Sequence, residues 1–192
     1  MKATEILGHE HRVIQQVASS CGVCAEALRS GTKVPTDVLE SIVDFFEKYG
    51  DHYYRQEEEL LLSMLREKGV PFGRGPIALI DYENHKRRAL VDQLSSAVLA
   101  HITSGGATKG MLIETLDALA EFFRSHIWKK DYLLLPMAER VLSEEDKTSL
   151  ADLFHMIDSM KGAEAQKAVE GFNAALHHCI DAIAQPRQAH AA

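Results

Sequence analysis

Apolar residues recur every three or four positions along most of this chain, and that spacing constrains its fold more than any other feature of the sequence. A repeat of this kind gives each helix one apolar stripe, which must be buried against another helix. β-branched residues occur only in short runs that never alternate cleanly with polar residues, so strands are not expected. The pattern therefore predicts an all-α protein.

Turn-forming residues divide the helical pattern into four long segments. Glycine, proline and serine interrupt it at residues 31–35, 69–76 and 104–106. The fourth segment runs to about Val141 and carries Pro136 near its end, where a kink or a stop is expected. Long helices joined by short turns favour an up-down-up-down four-helix bundle.

Additional C-terminal helices are predicted after the bundle. A shorter fifth helix is expected to begin at Ser143, and the composition between residues 163 and 184 suggests a sixth. We therefore expect the bundle to occupy residues 1–142 and the C-terminal helices to pack on it over residues 143–185. Residues 186–192 are expected to form a disordered tail.

Composition argues against several classes of protein. A chain of 192 residues that is 46% hydrophobic fits one domain with a sizeable core. A net charge of −7 argues against a nucleic-acid binder, which would normally present a basic face. The sequence shows neither a signal-peptide pattern nor a membrane span, so we expect a cytoplasmic protein without a membrane partner. The CxxC pair, Cys21 and Cys24, is interpreted as small buried residues on a helix.

Histidines are distributed so that each of the four long helices carries at least one. The residues in question are His11, His52, His85 and His126. A single histidine on such a helix is more often a packing residue than a ligand, but four in four helices, two of them followed by an acid, indicate a metal site. Imidazole and carboxylate together suit iron, manganese or zinc, whereas the lack of cysteines at matching spacing argues against a closed structural zinc site.

In two of these helices the histidine is followed five residues later by a carboxylate. The pairs are His52 with Glu57 and His126 with Asp131. Five residues rotate an α-helical side chain by about 140°, so the members of a pair do not lie directly above one another. We therefore expect them to approach the centre of the bundle from two sides of the helix.

Two tyrosines in the second helix offer a further type of ligand. Tyr53 precedes Glu57 by four residues, and Tyr54 precedes Glu58 by four residues, which places each pair on one helical face. A tyrosine oxygen could therefore stand where a second imidazole might be expected.

Four segments together resemble the hemerythrin-like, or HHE cation-binding, proteins over roughly residues 4–142. They are residues 8–14 (GHEHRVI), 51–62 (DHYYRQEEELLL), 83–86 (ENHK) and 126–136 (HIWKKDYLLLP). The last segment is the most specific, because a histidine followed five residues later by aspartate is similar to the fourth-helix signature of oxygen-carrying members.

The resemblance implies a non-haem di-iron centre, with two iron ions bridged by carboxylates. Carried onto this sequence, His11, His52, His85 and His126 would be terminal ligands, and Glu57 and Asp131 would bridge the metals.

The chain departs from the family pattern at three positions. Ala89 replaces a second histidine of the third helix, Gln56 stands where the second helix usually has glutamate, and Lys130 stands where many bacterial members have glutamate. When the leucine run of the second helix is used as the anchor, the family's histidine falls on Tyr53 or Tyr54 and its glutamate on Glu57 or Glu58. We favour Tyr54 with Glu58, because those two residues have helical spacing.

The function implied by the resemblance is to bind or react with O2, NO or peroxide, in sensing, stress response or detoxification, including weak catalase-like activity. The missing histidine would leave an exchangeable position on the metal, which favours reaction with peroxide or NO over reversible O2 binding. The alternative is an iron-storage or iron-responsive regulatory bundle that acts through a protein partner. A helical interaction module with packing histidines is a third possibility, and the sequence leaves the oligomeric state open.

Overall fold

The computed structural model describes residues 2–159 and residue 176, with the side chains of residues 51–53 left out. Within residues 2–159 every regular element is helical. The elements are α1 (Ala3–Arg29), α2 (Thr36–Asp44), a first π-helical segment (Phe45–Tyr54), α3 (Arg55–Glu67), α4 (Gly75–Thr103), α5 (Lys109–Lys129), a second π-helical segment (Lys130–Leu134), α6 (Leu135–Val141) and α7 (144–159). The all-α prediction is confirmed.

Four long helices form a bundle. The first is α1, the second runs without a break from α2 through the first π-helical segment into α3, the third is α4, and the fourth runs from α5 through the second π-helical segment into α6. The closest packing is between α1 and α5 and between α4 and α5, while α2 packs on α4. Of the helices within the described ranges, none is long and apolar enough to cross a bilayer.

Leucine, isoleucine, valine and phenylalanine side chains of these helices make one continuous core. Phe46 stacks on Phe123, with ring centroids 4.7 Å apart, and so joins the second long helix to the fourth. Cys21 and Cys24 are fully buried in α1, and burial raises the pKa of the Cys21 thiol. Their surroundings agree with the interpretation as small core residues.

The two π-helical segments interrupt the helices that carry the histidine–acid pairs. In a π-helix the backbone bonds span five residues, and the N–H of Leu135 donates to the carbonyl of Lys130 in this way. Pro136 follows in the first turn of α6, where a missing N–H is tolerated. The helix therefore changes type near Pro136 but continues to Val141.

The chain after α6 turns at Ser143 and enters α7. The Ser143 N–H donates to Asp146 Oδ2 at 2.9 Å, and the Asp146 N–H donates to Ser143 Oγ at 3.1 Å, which is a reciprocal cap at a helix start. Leu150 and Phe154 of α7 are fully buried in the core. Of the predicted sixth helix the structure describes residue 176 alone, and the predicted tail lies outside the described residues.

Candidate functional site

Charged and polar side chains from all four long helices lie buried within the bundle. α1 supplies His11, the second long helix Tyr54 and Glu58, α4 Glu83 and Arg87, and the fourth long helix His126 and Lys130. Charged groups are almost never fully buried unless they are paired, so such a concentration indicates a specific arrangement.

Lys130 holds the most unusual position in this cluster. Its side chain is only 1% exposed, and its ammonium lies 2.7 Å from Glu58 Oε1 in an ion pair. The same ammonium donates a hydrogen bond of 3.2 Å to the Tyr54 hydroxyl oxygen. Burial lowers the pKa of Lys130, and attraction to Glu58 opposes that shift. The lysine is thus a positive charge placed among oxygen acceptors in the interior.

Glu58 is the main counter-charge to that lysine. Its second oxygen, Oε2, accepts a hydrogen bond of 3.1 Å from the Asn84 side chain. Burial by itself would raise the pKa of Glu58, but the charges and hydrogen bond of Lys130, together with Arg87, bring the pKa below its usual value. The carboxyl group is therefore ionised inside the core.

A chain of hydrogen bonds leads from Lys130 toward the surface. Because an ammonium can only donate, the Tyr54 oxygen accepts from Lys130 and the Tyr54 O–H donates to His11 Nε2 at 2.7 Å. His11 Nδ1–H then donates to Asp131, whose side chain is 36% exposed. Burial raises the pKa of Tyr54 and lowers that of His11, so the tyrosine is protonated and the imidazole neutral.

His126 lies in the same core, and of its two ring nitrogens one is hydrogen-bonded and the other has no partner among the described residues. Nδ1 lies 2.9 Å from Glu83 Oε2, and Lys129 donates to the other oxygen of Glu83. Burial lowers the pKa of His126, as do the nearby charges of Lys130 and Arg87, so the ring is neutral and its Nδ1–H donates to Glu83. Nε2 is buried and has no hydrogen-bond partner among the described residues.

This arrangement is the one that metal-binding histidines usually show. A ligating imidazole almost always donates its other N–H to a carboxylate or a carbonyl, which fixes the tautomer and the ring orientation. Phe122 stacks on the His126 ring, with centroids 5.0 Å apart, and restricts the ring further. His126 Nε2 is therefore a fixed, desolvated electron-pair donor.

The sequence-predicted residues are only partly brought together. His11, Tyr54, Glu58 and Asp131 belong to one hydrogen-bonded network through Lys130, and His126 lies in the same core.

His85 is not part of that network. It lies on the exposed face of α4, and its Nδ1 lies 2.9 Å from the backbone carbonyl of Asp81. The structure does not describe the side chain of His52, so its role as a ligand stays a prediction.

Glu57 is buried, but it belongs to a different group of carboxylates. Oxygen atoms of Glu10, Glu57 and Asp158 lie within 4.8 Å of one another, close enough to hold a cation. Among the described residues, these three form the one group of histidine, cysteine or acidic side chains gathered that closely. Asp158 belongs to α7, so this group joins the C-terminal helix to the bundle.

Sequence reasoning missed the residues that α4 turns toward the core. Glu83 and Arg87 are buried, whereas the sequence predicted His85, which lies between them, as the metal ligand from this helix. The signal was present, because Ile80, Glu83, Arg87, Val91 and Leu94 follow one another at helical spacing and share the buried face of α4.

The five-residue spacing of the histidine–acid pair in the fourth helix has a structural explanation. The second π-helical segment begins at Lys130, one residue before Asp131, and widens the helix at that point. His126 lies in the buried cluster, and Asp131 is joined to it through His11.

Comparison with known protein families gives a match. The family model described as the hemerythrin HHE cation binding domain matches residues 2–138, which covers the four long helices except for the last three residues of α6. No curated protein and no solved structure matches the chain.

Proposed function

The chain belongs to the hemerythrin HHE cation-binding domain family, and on that premise we propose that it binds iron inside its helical bundle and reacts there with peroxide, nitric oxide or O2. Membership of this family implies binding of a metal ion, for which iron is typical. The identity of the ion and its reaction are our proposal.

The observation that carries this proposal is the state of His126. A buried nitrogen that lacks a hydrogen-bond partner costs free energy, about 1–3 kcal/mol. The bare Nε2 of His126 would recover that free energy by binding a metal ion. The bond between Nδ1 and Glu83 already holds the ring in the tautomer that coordination requires.

The donor set of the core suits iron. We propose that His126 Nε2 is the first ligand and that a carboxylate oxygen of Asp131 is a second, whereas the Glu58 carboxylate is already held by Lys130 and Asn84. Imidazole, carboxylate and phenol oxygen are common ligands of iron, and the described residues bring no cysteine to the cluster.

The same donor set fits one metal ion and not the expected pair. His11 and Tyr54 are bonded to each other, and Tyr54 and Glu58 are bonded to the Lys130 ammonium. Two unit charges about 4 Å apart repel each other by about 4 kcal/mol at an effective dielectric constant of about 20, and a divalent ion roughly doubles that cost. A second metal ion beside Lys130 would meet that repulsion.

The bound iron would supply a coordination position and an electron for a small molecule. The protein's own residues would move protons, because the hydrogen bonds from Lys130 through Tyr54 and His11 reach Asp131 without a gap. Asp131 also lines a surface depression together with Thr4, Glu5, Leu135 and Pro136 among others, so the outer end of this chain meets solvent. Each bond donates outward, so exchange along the chain can carry a proton from the Lys130 ammonium through Tyr54 and His11 to Asp131.

Metal content tests the first half of the proposal. Protein loaded anaerobically with ferrous iron and then desalted should retain iron, and His126→Ala should lose most of it. His85→Ala is the matched control, because His85 lies on the exposed face of α4 and should not affect iron content. Equal iron content in wild type and His126→Ala would contradict the assignment of His126 as a ligand.

Spectroscopy tests the second half. Peroxide, nitric oxide and O2 would be added separately to the iron-loaded protein, while optical spectra and gas evolution are followed. We expect a nitric oxide adduct or peroxide turnover, and the response should be absent in His126→Ala. Stable, fully reversible O2 binding without a response to peroxide or nitric oxide would place the protein among oxygen carriers instead.

A further inference from the structure

The buried ammonium of Lys130 points to a second role for the lysine, beyond that of an ordinary ion-pair partner. We propose that Lys130 is a built-in cation that occupies one of two cation positions in the bundle core and so limits the site to a single metal ion. This inference rests on the proposed function, because it concerns how many ions the same core can hold.

The surroundings of the ammonium are those of a bound cation. Glu58 supplies a carboxylate oxygen at 2.7 Å, and Tyr54 supplies a hydroxyl oxygen at 3.2 Å. Next in the network come the imidazole of His11 and the carboxylate of Asp131. Carboxylate and phenol oxygens, with an imidazole nearby, are groups that iron, manganese and zinc take as ligands in proteins.

The position of Lys130 along the helix explains how its side chain arrives there. Lys130 follows His126 by four residues, and its N–H donates to the His126 carbonyl, so both residues share one face of the fourth long helix. The lysine side chain thus extends into the core beside the proposed ligand. Lys129, the next residue back, is 22% exposed and pairs with Glu83 instead.

Charge in the core supports the same conclusion. Lys130 and Arg87 are both buried, both act on Glu58 and His126 through their charges, and Arg87 also acts on Tyr54. Glu58 therefore already has its counter-charge, and a metal ion could bind between Glu58 and Tyr54 only by displacing the ammonium. Removing the charge of Lys130 would leave a buried carboxylate and a phenol without the cation that they contact directly, which is the condition that favours metal binding.

The decisive variant is Lys130→Met, which keeps a long, flexible side chain and removes its charge. Wild type and variant would be loaded with excess ferrous iron under anaerobic conditions, desalted, and analysed for metal per chain. We expect one iron per wild-type chain and two per variant chain. Added iron should also raise the thermal unfolding temperature of the variant more than that of the wild type.

Two further variants separate the metal effect from a general loss of charge. Lys147→Met removes another lysine that is paired with two carboxylates, Glu139 and Glu144, outside the cluster, and it should keep the wild-type metal content. The double variant Lys130→Met/Glu58→Gln removes both partners of the buried ion pair. It should fold without added metal and should not gain a second ion.

The outcomes distinguish this inference from the function on which it rests. Two irons per wild-type chain, or a folded Lys130→Met with no more metal than wild type, would overturn the role of Lys130 and leave iron binding intact. No iron in the wild type, together with metal uptake by Lys130→Met, would overturn the proposed function and support the lysine as a resident cation. No uptake by either protein would overturn both.

A measurement on the unaltered protein covers the case in which Lys130→Met fails to fold. X-ray absorption of the iron-loaded wild type should show nitrogen and oxygen neighbours and no iron–iron scattering. Iron–iron scattering would contradict the inference directly. In a folded Lys130→Met, a visible tyrosine-to-iron band should appear, because Tyr54 would no longer accept a hydrogen bond from the ammonium.

Discussion

Each of the four long helices contributes polar side chains to the buried cluster, so its hydrogen bonds and ion pair join residues that are far apart in the chain. His11, Tyr54, Glu58, His126 and Asp131 all reach the buried cluster, because each follows a helical face that also carries apolar residues. Hydrogen-bond partners come from different helices, so they depend on tertiary packing that spacing along the chain does not contain.

Replacement of Tyr54 by phenylalanine tests the network around Lys130. The change removes an acceptor from Lys130 and a donor from His11, both buried, so Tyr54→Phe should lower the free energy of unfolding by about 1–3 kcal/mol. Urea unfolding followed by circular dichroism measures this loss. Tyr132→Phe is the control, because Tyr132 is 65% exposed, and its effect should stay within about 0.5 kcal/mol.

Replacement of Glu83 by glutamine tests how His126 is held. The uncharged amide weakens the acceptor for the His126 Nδ1–H, and loss of such a partner typically lowers metal affinity about 10–100-fold. Competition with a chelator, measured on iron-loaded Glu83→Gln and wild type, gives the ratio of affinities. Glu121→Gln provides the comparison, since Glu121 forms an exposed pair with Arg124; similar affinities in all three proteins would mean that Glu83 does not position His126.

At the scale of helices, the number, order and approximate limits of the long helices followed from apolar periodicity and from glycine and proline. The π-helical segments did not, because a helix that widens by one residue differs from an α-helix only in its backbone bonding. The orientation of α4 could have been predicted, because its buried residues repeat at helical spacing on either side of Glu83. The sequence predicts His85 as the ligand from α4 instead, because histidine is a common metal ligand.

The start of α7 offers a test at this scale. Ser143→Ala removes the side-chain oxygen that accepts the Asp146 N–H, so it should lower the free energy of unfolding by about 1 kcal/mol. Chemical unfolding at neutral pH measures the change. Ser149→Ala, within the same helix and without a capping role, should have a smaller effect; equal effects would argue against the cap.

Asp146 adds a pH dependence to the same helix start. Hydrogen bonds from Lys68 and Ser143 lower its pKa from 3.8 to about 2. Its contribution to stability is therefore present above pH 3.8 and is lost as the pH falls through about 2. The difference in unfolding temperature between wild type and Asp146→Asn should be constant near neutral pH and shrink over that acidic interval; a constant difference throughout would contradict the role of the ionised carboxylate.

At the scale of the whole molecule, folding and metal binding should be linked. An ion that binds only the folded bundle stabilises it by an amount that grows with concentration, about 2.7 kcal/mol when free ion is 100-fold above the dissociation constant. Differential scanning fluorimetry with increasing ferrous iron should show a rising unfolding temperature, and EDTA should reverse the rise. His126→Ala should show little response, whereas a response equal to that of wild type would place the bound ion elsewhere, for example at the Glu10, Glu57 and Asp158 carboxylates.

The second π-helical segment also shows one way in which mutation could change the arrangement of metal ligands in such a core. A π turn amounts to one extra residue in an α-helix, so loss of a single codon between residues 130 and 134 would restore the ordinary helix. Because the widened turn absorbs the extra residue, the side chains after it would keep their faces, and deletion of Lys130 would bring Asp131 to four residues after His126. A deletion of one codon, and not only a substitution, could therefore remove the buried ammonium and place the acid on the same helical face as His126 while the helix itself survives.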